Sequence, residues 1–263
     1  MNRLLLILFF LVVSHASLCA EVDSVTHCHL RLQSGTGYGV YRDLGASPLT
    51  YRGMQLAPGI SLSIQNANWL GEAYLLADGG AYGLRLGFNY IQAYGGHPIV
   101  GCRALRNLYD DGRWRLWAGG SLDDLFDIRY NASLDNACVA FGDFARLNVE
   151  GRVEYCLRRW LLHAQMSLNV LTFNLRPGFA YIDNFDQDIA SPTANTFDQY
   201  RIYPTLGTSV STDWGATYML ANGNRIGISY RWSYLTSRTT AVAPHRFEYA
   251  DHSLLVNLDF LLN

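Results

Sequence analysis

Ionisable and polar side chains recur at every second position of several segments, a spacing that puts them on one face of a strand. Guanidinium groups bind carboxylates and phosphates through paired hydrogen bonds, so a face lined with arginine could bind or pass anionic solutes. The alternative is a structural network in which these arginines pair with acidic neighbours. The candidate residues are Arg31, Arg85, Arg103, Arg113, Arg115, Arg146, Glu150, Arg152, Glu154, His163, Gln165 and Arg231.

Catalytic residue types also occur, but their spacing argues against catalysis. His163, Gln165 and Ser167 share one face of a strand, without a carboxylate nearby in the sequence that would orient the histidine. The run Asp251-His252-Ser253 contains three triad residue types, yet adjacent residues on a strand point to opposite faces. We therefore expect no catalytic residue, with a lipid hydrolase as the least favoured function.

Composition excludes several other kinds of chemistry. Every basic residue is arginine, so lysine-based mechanisms are absent, and the net charge of −2 gives no reason to expect nucleic acid. No zinc spacing or Cys-x-x-Cys motif appears, and we expect neither a metal nor another cofactor. Four cysteines follow residue 20, and we expect them to be unpaired or structural: Cys28, before the first strand, Cys102, Cys138 and Cys156.

The elements that must position these residues are strands. From Ile202 to Leu220 apolar residues hold the even positions, and after Asn222-Gly223-Asn224 the alternation resumes from Ile226 to Tyr234. Such a period of two predicts strands with one apolar and one polar face, and Asn-Gly predicts the hairpin between them. Met54 to Gln65 shows the same pattern and is predicted to form one strand.

Other segments are less regular. We predict a loop over Arg42–Arg52, a turn at Asp78-Gly79-Gly80, and an outward apolar set beginning at Tyr82. Asp123-Asp124 is interpreted as a turn before a short strand, Leu125–Ala132. Around Thr172 the apolar phase slips by one residue, which predicts a β-bulge.

Together these patterns predict a transmembrane barrel. The chain is 49% hydrophobic, but it has no apolar run of the ~20 residues that a spanning helix requires. Strands that cross a bilayer need ~9–11 residues, and bacterial barrels have an even strand number. We predict an all-β, antiparallel up-and-down barrel of about twelve strands, with ten or fourteen as alternatives. The polar residues above would then line its lumen.

The first twenty residues predict export. Arg3 is followed by an apolar core from Leu4 to Val13 and by small residues up to Ala20, which is typical of a signal peptide. We expect residues 1–20 to be this peptide and residues 21–263 to form a single barrel domain. The expected location is the outer membrane of a Gram-negative bacterium.

Three segments, Gly45–Gly53, Arg176–Asp183 and Asn222–Trp232, resemble uncharacterised outer-membrane β-barrel proteins of Bacteroidota. The resemblance implies location and fold, and a place among multi-protein outer-membrane machines; it implies no activity. Two functions follow as hypotheses: a narrow channel or solute-binding pore, and a non-conducting structural or accessory subunit of an outer-membrane assembly. The expected partners are outer-membrane lipid and, for the second hypothesis, other outer-membrane proteins or lipoproteins.

Overall fold

The computed structural model describes residues 26–44, 47–86, 89–131, 139–177, 200–237 and 246–262. These residues form twelve strands and no helix. The predicted signal peptide and Cys138 lie outside the described residues. The strands are β1 (His27–Asp43), β2 (Ser47–Leu56), β3 (Gly59–Gln65), β4 (Trp69–Leu86), β5 (Asn89–Asp110), β6 (Trp114–Tyr130), β7 (Val139–Leu157), β8 (Trp160–Pro177), β9 (Tyr200–Leu206), β10 (Ser209–Met219), β11 (Arg225–Ser237) and β12 (Phe247–Leu261).

The strands close into a ring of antiparallel neighbours. The first and last strands pair continuously from His29 opposite Leu261 to Asp43 opposite Phe247, and β10 pairs with β8 as well as with β11. In the described part of the chain the sheet thus closes on itself, which is what a sheet in a lipid environment requires. The predicted all-β, antiparallel barrel of twelve strands is confirmed.

Two of the predicted long strands are interrupted. Met54–Gln65 is divided at Pro58, which has no N–H to donate, and the resulting β2 and β3 both pair with β1 and β4. The strand predicted from Ile202 to Leu220 is divided at Gly207, whose φ of 62° is left-handed. The strands β2 and β3 together occupy one position in the ring, and so do β9 and β10. The twelve strands therefore occupy ten positions around the ring.

Residues on the outward face are apolar, as the alternation predicts. Met54, Ile64 and Val149 are more than half exposed, although side chains of this kind are normally removed from water. A large, contiguous exposed apolar surface indicates a lipid or protein environment rather than water. The described residues contain no helix long and apolar enough to span a membrane.

Three expected irregularities proved to be continuous strand. Asp78-Gly79-Gly80 lies inside β4, Asp123-Asp124 lies inside β6, and most of Arg42–Arg52 belongs to β1 and β2. Consequently Leu125–Tyr130 of the short strand expected at Leu125–Ala132 is the C-terminal part of β6, and Ala132 lies outside the described residues. Aspartate and glycine signal turns only where the backbone is free to turn. Here Asp78 pairs with Arg231 across the barrel and Asp123 with Arg146 on the adjacent strand.

The predicted phase slip near Thr172 is confirmed. The pairing of β7 with β8 shifts register between Leu147 and Asn148, which places an extra residue in β8. Asn169 stabilises this bulge, because its side-chain amide donates to the carbonyl oxygens of Leu147 at 3.2 Å and Leu171 at 3.1 Å. A bulge removes the backbone partners of nearby carbonyl oxygens, and the amide of Asn169 replaces them as hydrogen-bond donor. Its role is therefore structural.

The two ends of the barrel differ. Both ends of the described chain lie at the end with the turns 66–68, 111–113, 158–159 and 220–224. We call this the short-turn end and the opposite one the loop end. Exposed tryptophans mark the short-turn end: Trp69, Trp114 and Trp160 are the first residues of β4, β6 and β8. Such aromatic belts are typical of the boundary between hydrocarbon and headgroups.

Candidate functional site

The lumen is the candidate site, and the structure places most of the predicted polar residues in it. Ten of the twelve point inward from the wall: Arg31, Arg103, Arg115, Arg146, Glu150, Arg152, Glu154, His163, Gln165 and Arg231. Arg113 does not, because it lies exposed in the turn between β5 and β6, so its predicted lumen position is wrong. The side chain of Arg85 lies outside those described.

Arg103 is the centre of an ionic network in the part of the lumen nearer the short-turn end. Its guanidinium lies 3.4 Å from Glu72 on one side and 3.4 Å from Glu150 on the other, and 4.6 Å from the centre of the Tyr74 ring. Gln165 donates a further hydrogen bond to Glu150 at 2.9 Å. Two carboxylates and an aromatic face therefore surround this buried cation, as removal from water requires.

The other inward arginines are paired in the same way. Arg31 lies 2.7 Å from Asp259, Arg146 2.5 Å from Asp123, Arg152 2.7 Å from Glu154, and Arg231 2.5 Å from Asp78. The carboxylates come from strands that sequence reasoning had not connected, since Asp78 and Asp123 were interpreted as turn residues. The arginines are thus part of a balanced ionic network, the alternative that the sequence left open.

His163 has an orienting carboxylate after all. Its Nε2 lies 2.7 Å from Asp213 Oδ1, a residue 50 positions away that adjacent strands bring close. Gly215 makes room for the ring, because a Cβ there would lie 2.5 Å from Cε1 of His163. The pair faces the interior rather than the lipid, so it is separated from any lipid substrate.

A second network lies nearer the loop end, around Arg129. Its guanidinium is 5% exposed and lies 2.5 Å from Asp43 and 2.8 Å from Asp127. The ring of His97 lies 3.2 Å from Asp127 and stacks on Tyr249 with the ring centres 4.0 Å apart. Sequence reasoning missed this network because Asp43 was assigned to a loop. The alternation of Asp127 with Arg129 was the signal that could have revealed it.

Apolar clusters lie in the lumen on both sides of a small cavity. Towards the short-turn end, Leu70, Leu105 and Trp117 pack together and are at most 5% exposed. Towards the loop end lies a larger cluster, which includes Tyr82, predicted outward but fully buried inside. The members of this cluster are Tyr41, Tyr51, Tyr82, Ala93, Leu125, Phe144, Leu235, Phe247 and Tyr249.

The cavity between the clusters has a volume of about 120 Å³. It is lined by arginine and carboxylate in similar number, so it presents no excess of positive charge for an anion: Arg31, Arg103, Arg146, Arg152 and Arg231 are matched by Glu72, Asp78, Asp123, Glu150 and Asp213. A barrel of ~8 strands is filled by side chains and one of ~16 holds an aqueous channel. With ten strand positions, this lumen resembles the filled kind.

Metal and disulfide chemistry have no support in the described part of the chain. No group of three or more potential ligands (His, Cys, Asp or Glu) could hold a metal ion there. Cys28, Cys102 and Cys156 are free thiols. Cys28 belongs to β1 rather than preceding it, which corrects the expected start of the first strand.

Comparison with known proteins supports the fold and no specific activity. No family model matches the chain, and no curated protein matches it either. Among solved structures, it is similar to the outer membrane protease OmpT from Escherichia coli, with a TM-score of 0.60 and 7% identity over 92% of this chain and 99% of that chain. The translocator domain of the autotransporter NalP from Neisseria meningitidis has a TM-score of 0.40 and 9% identity over 98% and 97%. The described residues thus have the fold of outer-membrane β-barrels.

Proposed function

We propose that the protein is an integral outer-membrane barrel that does not conduct solutes and serves as a structural or accessory subunit of an outer-membrane assembly. The observation that carries this proposal is the filled lumen, in which apolar clusters lie above and below a cavity of about 120 Å³. A conducting pore requires a continuous aqueous path. The buried side chains of Trp117 and Tyr82 lie inside the barrel at two levels, which supports a blocked path.

Location in the outer membrane is supported by three features. The wall is apolar on its outward face, the short-turn end carries exposed tryptophans, and the fold is that of outer-membrane barrels. Short turns and both chain ends face the periplasm in barrels of this class. We therefore place the short-turn end in the periplasm and the loop end outside the cell.

Electrical recording in planar bilayers tests the absence of conduction. We expect the purified, refolded protein to give no conductance steps, while a porin in the same lipid gives large ones. If the wild type shows stepwise conductance, and Arg103→Gln or Arg231→Gln alters its anion selectivity, then the pore hypothesis is correct and this proposal fails. Heat-dependent mobility on SDS gels would establish that each sample is folded before it is recorded.

The subunit role requires a second measurement. We expect the protein, extracted in mild detergent from its own membrane, to emerge in fixed ratio with other outer-membrane proteins or lipoproteins. Emergence alone or as a homo-oligomer would contradict that role. The proposal includes no catalysis, so His163→Ala should leave unchanged any lipase activity of the preparation; loss of that activity would instead make the His163–Asp213 pair catalytic.

A further inference from the structure

A second group of arginines surrounds the short-turn end over strands β5 to β8. We call Arg106, Arg113, Arg115, Arg158 and Arg159 the arginine rim. Arg106 lies near the end of β5, Arg113 in the next turn, and Arg158 with Arg159 in the turn between β7 and β8. The two turns are neighbours, because the backbone N–H of Cys156 donates to the carbonyl oxygen of Arg113 at 2.7 Å.

Most of the charge on the arginine rim is not neutralised. Arg115 lies 3.1 Å from Asp110, but within the described ranges Arg106, Arg113 and Arg158 have no acidic partner. Arg159 reaches only the hydroxyl of Tyr218, at 3.5 Å. The turns beside these five arginines carry two carboxylates, Asp110 and Asp111, and Glu154, opposite Arg115 on β7, is paired with Arg152.

Asp111 is already engaged by its own turn. The backbone N–H groups of Trp114 and Arg113 donate to its carboxylate at 2.6 and 2.9 Å. These hydrogen bonds lower the pKa of Asp111, so it stays ionised, but its Oδ1 is occupied by the backbone and its Oδ2 accepts from the hydroxyl of Tyr109 at 3.2 Å. The arginine rim keeps an excess of positive charge that must meet solvent or an external anion.

The arginine rim is interleaved with the aromatic belt. The guanidinium of Arg106 lies 5.9 Å from the centre of the Trp69 ring, and Trp114 packs on Tyr155 with the ring centres 4.6 Å apart. Trp160 is 46% exposed immediately after Arg159. Tryptophan and tyrosine mark the headgroup level of a membrane, where arginine stems also extend. The free guanidinium groups are thus at the height of lipid headgroups.

Arg158 occupies a conformation that its side chain does not favour. Its φ of 54° is left-handed, and it is the only non-glycine residue in the described chain with positive φ. The first residue of a two-residue hairpin turn with positive φ is ordinarily glycine. The turn would form at least as well without this side chain, so the side chain has no role in forming the turn.

The positive charge is confined to one side of the short-turn end. The other two turns there are Asn66-Ala67-Asn68 and Ala221-Asn222-Gly223-Asn224, which carry no charge. Arg225, beside the second of them, lies 3.2 Å from Nε2 of His29 and faces the lumen. A basic sector and a neutral sector therefore occupy the same level of the barrel.

We propose that the four arginines of the rim other than Arg115, which faces the lumen, bind the headgroups of anionic phospholipids in the leaflet at the short-turn end, an inference that rests on the proposed membrane location. A guanidinium pairs with a phosphate oxygen pair through two hydrogen bonds, and the adjacent tryptophans hold the lipid's glycerol region. An acidic protein segment is the competing occupant. The aromatic belt favours lipid, because Arg106 lies over Trp69 and the turn arginines directly precede Trp114 and Trp160, which mark the headgroup boundary.

Tryptophan quenching by brominated lipids tests this directly. The protein is reconstituted in mixtures that contain dibrominated phosphatidylglycerol or dibrominated phosphatidylcholine, and the relative association constant of each lipid is measured. One arginine at a membrane surface changes anionic lipid binding by about fivefold. We therefore expect the wild type to prefer phosphatidylglycerol by more than fivefold. Arg113→Gln/Arg158→Gly, which leaves Arg106 and Arg159 in place, should lower that preference by about fivefold or more.

A matched control is available at the loop end. Arg42 is exposed and lies 15 residues beyond His27, the start of β1, which is above the ~9–11 residues that cross a bilayer. Arg42→Gln/Arg52→Gln should keep the full lipid preference. Equal quenching of the wild type by both lipids, or equal losses in the two double variants, would overturn the inference. So would release of phosphatidylglycerol by soluble poly-glutamate at constant ionic strength, which would indicate an acidic protein.

The two proposals fail in different ways. If neither brominated lipid quenches the tryptophans, the protein is not inserted in the bilayer and the proposed function fails with the inference. If both lipids quench equally, the barrel is in the membrane and only the lipid inference is wrong. Arg158→Gly should fold, because glycine relieves the left-handed residue.

Discussion

The lumen and the arginine rim use the same residue in opposite ways. Arg103 lies between two carboxylates and Arg129 between two others, whereas Arg113 and Arg158 have no acidic partner in the described part of the chain. Burial explains the difference, since an unpaired charge costs several kcal/mol inside a protein and little at a wet surface. Arginines in the wall of a narrow barrel therefore do not by themselves indicate an anion pore. Arginines without an acidic partner instead indicate a surface that contacts solvent or an anionic ligand outside the barrel.

The largest expected effect comes from removing a lumen arginine. Arg129→Met would remove a buried cation that lies against the carboxylates of Asp43 and Asp127, so the free energy of unfolding should fall by about 3–5 kcal/mol. Urea titration of the refolded barrel in detergent micelles measures this quantity. Arg42→Met, at the exposed residue next to the last one of β1, should change it by no more than about 0.5 kcal/mol. Similar losses in both variants would mean that burial does not separate the two kinds of arginine.

An uncharged lumen residue sharpens the comparison. Asn169→Ala should lower the free energy of unfolding by about 1–3 kcal/mol, because the carbonyls of Leu147 and Leu171 lose their donor at the bulge. Hydrogen exchange at β7 and β8 should rise locally in the same variant. If exchange rises evenly around the ring, then Asn169 contributes to general packing rather than to the bulge.

Arg158→Gly should have a smaller effect of the opposite sign. Glycine adopts a left-handed φ without the steric cost of a side chain, which for other residues is about 1–2 kcal/mol, and it also gives the unfolded chain more freedom. The net result should be a gain of up to about 1 kcal/mol in the free energy of unfolding. Arg159→Gly is the matched control, since Arg159 has no positive φ, and it should destabilise or leave stability unchanged. A loss in Arg158→Gly would show that its side chain has a stabilising partner.

The sequence predicts the wall of the barrel better than its contents. Alternation in Met54–Gln65 and Ile226–Tyr234 identified outward faces, since a period of two survives whatever a strand packs against. Tyr82 was misplaced because a filled lumen also buries aromatic residues, so the apolar face is not always the outer one. The partner of Arg231 could not be found from sequence: Asp78 lies 153 residues away across the barrel. Alternation gives the face of each strand but not which residues meet across the lumen.

The smallest effect belongs to the one ion pair of the arginine rim. Arg115 and Asp110 lie 3.1 Å apart with side chains 34% and 35% exposed, and pairs of this kind contribute about 0–1 kcal/mol. In a double-mutant cycle, Arg115→Gln, Asp110→Asn and the double variant should give a coupling in the free energy of unfolding of less than about 1 kcal/mol, which falls further at high salt. The same cycle for Arg231 and Asp78 should give a larger coupling that salt hardly changes, because both side chains are at most 10% exposed. If the two couplings are equal, then the lumen is as well hydrated as the rim, and the proposal that the lumen is filled and non-conducting is wrong.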